Sequence, residues 1–251
     1  MAEYAIDLKD LFERGMHFGH LARRWNPKMK QYIHKAQDGI HVIDLTQTKS
    51  ALEEAHNYLR DLVAQGGTVL FVSTKKQAKE QIKKAAHELG MPYIAERWVG
   101  GVLTNWDTVR TNIQKLIQYK KNGAPKNLTK KELNILAKRM ARLESVYEGL
   151  LSLEKLPDAL FVLDTRREKL AVVEATRMKI AVVGVCDTNA DPSHVSLVIP
   201  ANDDAVKSVE FLIEVVADAV RKGSESKAAS AEQKNEATQE EQPKKNSEAK
   251  R

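Results

Sequence analysis

Apolar positions along the chain fall into two rhythms. Residues 68–72 (Thr-Val-Leu-Phe-Val), 159–164 (Ala-Leu-Phe-Val-Leu-Asp) and 180–186 (Ile-Ala-Val-Val-Gly-Val-Cys) are nearly continuous apolar runs. Such runs suit strands buried on both faces, as in a parallel sheet. Shorter runs at 93–95 and 197–199 read as further strands, and Pro200 marks the second as a strand end or sheet edge. Residues 39–45 (Gly-Ile-His-Val-Ile-Asp-Leu) read as the first firm strand of the folded core.

The second rhythm is helical. Leu52, Ala55, Leu59, Leu62 and Val63 recur at steps of three and four, after a start near Asp44 and before Gly66-Gly67. Ala78, Ile82, Ala85, Ala86 and Leu89 do the same, with Ser73-Thr74 as the cap of a helix from Lys75 and Gly90 and Pro92 as its close. Residues 168–178 read as a helix. A last one follows Asn202-Asp203 through Val206, Val209, Leu212, Val216 and Val220. Tyr4, Ile6, Leu11 and Phe12 suit a short amphipathic helix at the start. Strands alternating with helices predict an α/β fold: a three-layer α/β/α parallel sheet of flavodoxin-like type.

Residues 103–156 break the alternation. Trp106, Val109, Ile113 and Leu116 form one apolar seam, and Leu133, Leu136, Met140, Leu143, Tyr147 and Leu150 form a longer one. Residues 121–125 (Lys-Asn-Gly-Ala-Pro) separate them, and Thr129 to Glu132 has capping-box spacing. The pattern predicts an antiparallel coiled-coil hairpin inserted into a discontinuous α/β domain of residues 1–102 and 157–222, its second helix about 35 Å long. Apart from Pro243, residues 223–251 lack apolar side chains larger than alanine and read as a disordered tail.

Charge sharpens this picture. The formal net charge is +6 over 251 residues, and the tail's acidic and basic residues balance, so the excess lies in the folded part. That favours an anionic partner, either nucleic acid or an anionic membrane surface. The basic residues concentrate in two places. One is an arm that carries Arg23, Arg24, Lys28 and Lys30 among Phe18, Trp25 and Tyr32. The other is the hairpin, where Glu132 is the only acid between Arg110 and Arg142. Arg110, Lys115, Lys138, Arg139 and Arg142 are its candidate phosphate contacts. In the arm, the four basic residues are the candidate phosphate contacts, and Trp25 is a packing residue.

Other chemistry is thinner. Thr74 and Lys75, where a strand meets a helix, are candidates for a phosphate, but the glycines of a P-loop are missing. Asp164, Asp187 and Asp191 could suggest Mg²⁺ at the strand ends, yet turns and caps explain such loops. His17 and His20 have no cysteine or evident carboxylate partner for zinc. No catalytic residue, cofactor or metal site is assigned. The single cysteine, Cys186, follows an apolar run and reads as a buried small residue. No apolar run approaches the roughly 18 residues of a membrane span, and the start lacks a secretory pattern. The expectation is an intracellular protein with no membrane partner and no small-molecule substrate. The rival reading is a doubly wound enzyme that binds a nucleotide or sugar phosphate.

Seven segments carry a resemblance: GMHFGHLARRWNPKM (15–29), GIHVIDLTQT (39–48), FVSTKKQA (71–78), ERWVGGVLTN (96–105), PDALFVLD (157–164), VCDTNADPSHV (185–195) and IPANDDAVKSVEF (199–211). In that order the chain resembles the small-subunit ribosomal protein S-two family of bacterial or organellar type. The resemblance implies a non-catalytic, RNA-binding structural constituent of the small ribosomal subunit, cytoplasmic or organellar. It implies small-subunit rRNA and neighbouring subunit proteins, including the large RNA-binding protein S-one, as partners. The family pattern allows a cysteine where Ala190 stands, and the tail beyond Lys222 matches nothing in it.

Overall fold

The computed structural model describes residues 6–125 and 128–241, with side chains as far as residue 229. Tyr4 of the expected amphipathic start lies outside them. The first helix, α1, is Leu8–Glu13, capped by Asp7.

Five parallel strands form the central sheet: β4 (Val69–Val72), β5 (Tyr93–Ile94), β6 (Ala159–Val162), β7 (Ala181–Cys186) and β8 (Leu197–Pro200). Their order is β5-β4-β6-β7-β8. Counted among the parallel strands alone this is 2-1-3-4-5, the flavodoxin-like arrangement. The continuous apolar runs form strands because both faces are covered. Val69 and Phe71 of β4 face a core with α2 (Leu45–Ala64), α3 (Lys79–Leu89) and α7 (Val206–Glu241). Leu70 and Val72 face a second core with α6 (Lys169–Arg177) and the base of the helical pair below. Phe71 and Phe161 meet edge-on in the first core at 5.7 Å, both fully buried. The three layers follow directly.

The arm departs from expectation. Residues 40–43 do not join the parallel sheet. They form β3 (Ile40–Ile43), the middle strand of a separate antiparallel sheet with β1 (Phe18–Leu21) and β2 (Ile33–Gln37). Asp38 and Gly39 both have positive φ, 51° and 76°, and close the β2–β3 hairpin as a two-residue turn requires. Two 3₁₀ turns, Ala22–Arg24 and Pro27–Tyr32, connect β1 to β2.

Helices α4 (Trp106–Asn122) and α5 (Lys130–Tyr147) stand between β5 and β6, where no strand was expected. Thr129 and Glu132 form the expected reciprocal capping box at the start of α5. Val109, Ile113 and Leu116 of α4 and Met140 and Tyr147 of α5 are buried. Leu133 at the far end is 36% exposed, so the seam loosens away from the body. α5 has 18 residues, about 27 Å, shorter than expected.

The tail also departs. α7 does not stop near Val220 but runs through Gly223 to Glu241. Gly223 is the reason it can continue against the body: a Cβ there would lie 2.5 Å from the Arg60 carbonyl and 2.8 Å from Val63 Cβ of α2. The expected disorder of 223–241 is therefore replaced by helix, in keeping with a stretch rich in Ala, Glu, Lys and Gln, all strong helix formers. Residues 242–251 lie outside the described residues.

Candidate functional site

The arm is fastened to the sheet at the carboxyl ends of β7 and β8. Gly19 lets β1 approach closely, since a Cβ there would meet Thr188 Cγ2 at 2.5 Å and the His41 carbonyl at 3.0 Å. The His20 N–H donates to Thr188 Oγ1 (2.9 Å), and the Asn26 N–H donates to the Thr188 carbonyl (2.8 Å). Met29 is fully buried against Cys186 and Ala190. Trp25 packs beside His41 with ring centres 5.1 Å apart. These anchors leave Arg23, Arg24, Lys28 and Lys30 exposed on the two 3₁₀ turns. Lys28 is already paired with Asp191 at 2.9 Å. That pair and the Ser193 amide hold the Asp191 carboxyl down at about 2. Lys28, Lys30 and Tyr32 line an open groove beside β8, with a volume of about 1110 Å³.

Thr74 and Lys75 lie elsewhere, at the switch point between β4 and β6 where doubly wound folds bind ligands. They do not cap a helix, since α3 starts only at Lys79. The Thr74 N–H and O–H both donate to Glu168 Oε1, at 2.8 and 2.5 Å. Lys75 Nζ contacts Asp203 (2.5 Å), Asp204 (2.8 Å) and Asp164 (3.2 Å). The donors expected to meet a phosphate are thus spent on the protein's own carboxylates. Burial would lower the Lys75 ammonium, but Asp203, Asp204 and Asp164 together raise it. Asp203 rises to about 7 because burial and the charges of Asp164 and Asp187 outweigh Lys75. His20 joins this cluster through Asp187 (3.0 Å) and Asp204 (3.4 Å). Its hydrogen bond to Asp187 outweighs burial and raises it. His20, Asp203 and Asp204 have ligand atoms within 4.8 Å of one another, with the Lys75 ammonium among the same carboxylates. His17 goes its own way, stacked on Phe12 at 4.4 Å and lowered by burial. Asp191, grouped with Asp164 and Asp187 by sequence, turns instead to Lys28.

The remaining candidates lie on α4 and α5. Arg110, Lys115, Lys138, Arg139 and Arg142 are all exposed. Lys115 and Arg139 come from different helices yet line one groove of about 530 Å³ with Tyr119 and Leu136. Lys138 and Arg142 stand one turn apart on α5. Lys120 pairs with Glu144 across the two helices at 2.6 Å.

One organising residue escaped the sequence reading. Glu174 is 3% exposed on α6. Its carboxylate accepts from Trp98 Nε1 (3.1 Å) and the Gly101 N–H (2.8 Å) on one oxygen. The other oxygen accepts from the Leu103 and Thr104 N–H groups (3.1 and 3.3 Å) and Thr104 Oγ1 (3.2 Å). Burial raises its pKa, but these donors prevail and lower it. The loop leading into α4 is thereby fixed on the body. The signal was a single glutamate inside the apolar run of residues 171–175 (Ala-Val-Val-Glu-Ala).

Comparison with known proteins shows a family. The family model described as Ribosomal protein S2 matches residues 11–223. Two relatives named small ribosomal subunit protein uS2 come from Streptomyces coelicolor and Streptomyces griseus. Each is 44% identical over 222 residues, which cover 87% of this chain and 72% of the relative.

Proposed function

The chain belongs to the ribosomal protein S2 family, and from that premise we propose that it is built into the small ribosomal subunit by holding rRNA with two basic surfaces. As a family member it is a structural constituent of the small subunit, working in translation and not in catalysis. In the finer reading, residues 1–102 and 157–222 form the body. Residues 103–156 form an antiparallel coiled-coil hairpin that carries Arg110, Lys115, Lys138, Arg139 and Arg142 against phosphates. Arg23, Arg24, Lys28 and Lys30 of the arm form the second surface, and neighbouring subunit proteins, including S-one, dock alongside.

The observation that carries this reading is the pairing of anchors with exposed cations. The arm's apolar residues and glycine fix it to the sheet, while its arginines and lysines face outward. Such contacts neutralise phosphates without reading bases. Among the described residues, no helix is long and apolar enough to cross a membrane. The test is sedimentation of the tagged chain in a sucrose gradient. It should travel with small subunits at low salt and leave them as salt rises. A chain that stays at the top of the low-salt gradient would refute the reading.

A further inference from the structure

The loops that leave β4, β5 and β6 carry Lys76, Arg97, Arg166 and Arg167, all exposed. Because β5, β4 and β6 are adjacent in that order, the fold gathers these cations on one rim of the sheet. Of the four, only Arg166 and Arg167 are neighbours in the sequence; Arg167 and Thr74, now hydrogen-bonded, are 93 positions apart.

The acids on the same loops are all engaged elsewhere. Glu96 pairs with Lys79 and, at 2.9 Å, with Lys83. Asp164 pairs with Lys75, and Glu168 is 3% exposed and bound to Thr74. None of the four rim cations forms an ion pair among the described residues. Arg167 is also pre-positioned. Its Nε donates to Thr74 Oγ1 at 2.8 Å, and that hydroxyl is held by Glu168. Among the described residues its two terminal amino groups have no hydrogen-bond partner and are left for an outside acceptor. Ordinary solvated faces mix the two signs; here the acids are withdrawn and the cations left.

We propose that this rim is a further RNA-backbone surface, distinct from the arm and the hairpin. The ligand is an extended sugar-phosphate chain and not a nucleotide. The crevice beneath the rim is filled by Lys75 and its carboxylates, so an anion must lie across the surface. The inference rests on the RNA-binding reading above.

The experiment measures binding of the full chain to small-subunit rRNA by fluorescence anisotropy over a salt series. It compares the wild type with two variants. One joins Lys76→Gln, Arg97→Gln, Arg166→Gln and Arg167→Gln. The other joins Arg110→Gln, Arg139→Gln and Arg142→Gln on the hairpin. The rim variant should flatten the slope of log affinity against log salt by about three, at roughly 0.7–0.9 for each phosphate no longer neutralised. Wild-type slope and affinity in the rim variant, beside weakened binding in the hairpin variant, would overturn the rim alone. A wild type that binds without salt dependence would overturn the RNA-binding reading itself. Should the fourfold variant fail to fold, Arg166→Gln, at an exposed side chain without a hydrogen bond or ion pair among the described residues, is expected to lower the slope by about 0.7–0.9. An unchanged slope there would overturn the rim.

Discussion

Glu174 makes a sharp prediction about how the loop leading into α4 is held. Its two oxygens serve five donors: three backbone N–H groups, the Trp98 indole and the Thr104 hydroxyl. Glutamine has nearly the same shape, so Glu174→Gln leaves packing intact. Yet only one end of the amide can accept. Whichever way it turns, its NH₂ faces at least two donors that now lack an acceptor. Losing the charge weakens the remaining bonds as well, since hydrogen bonds to ionised acceptors contribute roughly twice as much as neutral ones. Each unsatisfied buried donor costs about 1–3 kcal/mol, part of it recovered where Thr104 reaches solvent. A loss of about 3 kcal/mol is therefore expected. For a chain of this size that lowers Tm by roughly 6–12 °C, at about 2–4 °C per kcal/mol. The assay is thermal unfolding by circular dichroism, with amide hydrogen exchange to locate the change. Exchange should rise first in residues 98–104. A Tm within about 1 °C of wild type, against the several degrees anticipated, would show that the carboxylate does not hold this loop.

Two more outcomes follow from the arm and its cluster. Asp203 has its folded value raised from 3.8 to about 7, so the folded chain binds the extra proton and stability falls as pH rises across that interval. His20, also raised, adds the same sign, its contribution present below 6.5 and lost as pH climbs past its folded value. Asp203→Asn should therefore flatten the decline in Tm between pH 5 and 7; an equally steep decline would remove Asp203 as its source. Gly19→Ala forces a Cβ to 2.5 Å from Thr188 Cγ2, and overpacking of this kind costs about 1–3 kcal/mol. Urea unfolding should show that loss, and a midpoint equal to the wild type's would mean that the arm does not depend on this close approach.

The parts of the fold visible in the sequence were those with local causes. β4, β6 and β7 are legible because burial on both faces demands unbroken apolar runs. The α5 start is legible because a capping box involves residues three apart. The arm's separate sheet was not read, although Asp38-Gly39 offered a hairpin signal. β2 is exposed along most of its length, so no alternation drew attention to it. The α7 extension was missed because a polar composition can mean disorder or a helix, and close packing on α2 at Gly223 selects the second. The acidic loops at neighbouring strand ends were legible, but the placing of Lys75 among Asp164, Asp203 and Asp204 was not, since it depends on how β4, β6 and β8 align. The candidate cations on the arm and on α4 and α5 were visible as charge. That Lys28 is paired with Asp191, while Lys76, Arg97, Arg166 and Arg167 have no ion-pair partner among the described residues, emerged only from the folded chain.

The central claim is that electrostatic contact with rRNA holds this chain in the small subunit, and sucrose-gradient sedimentation tests it most directly. Tagged wild-type chain should sediment in the small-subunit peak at low salt and shift to the top of the gradient at high salt. The chain with Arg110→Gln, Arg139→Gln and Arg142→Gln should shift at lower salt than the wild type. Wild-type chain that never enters the small-subunit peak, or that stays there unchanged at every salt concentration, would contradict the account.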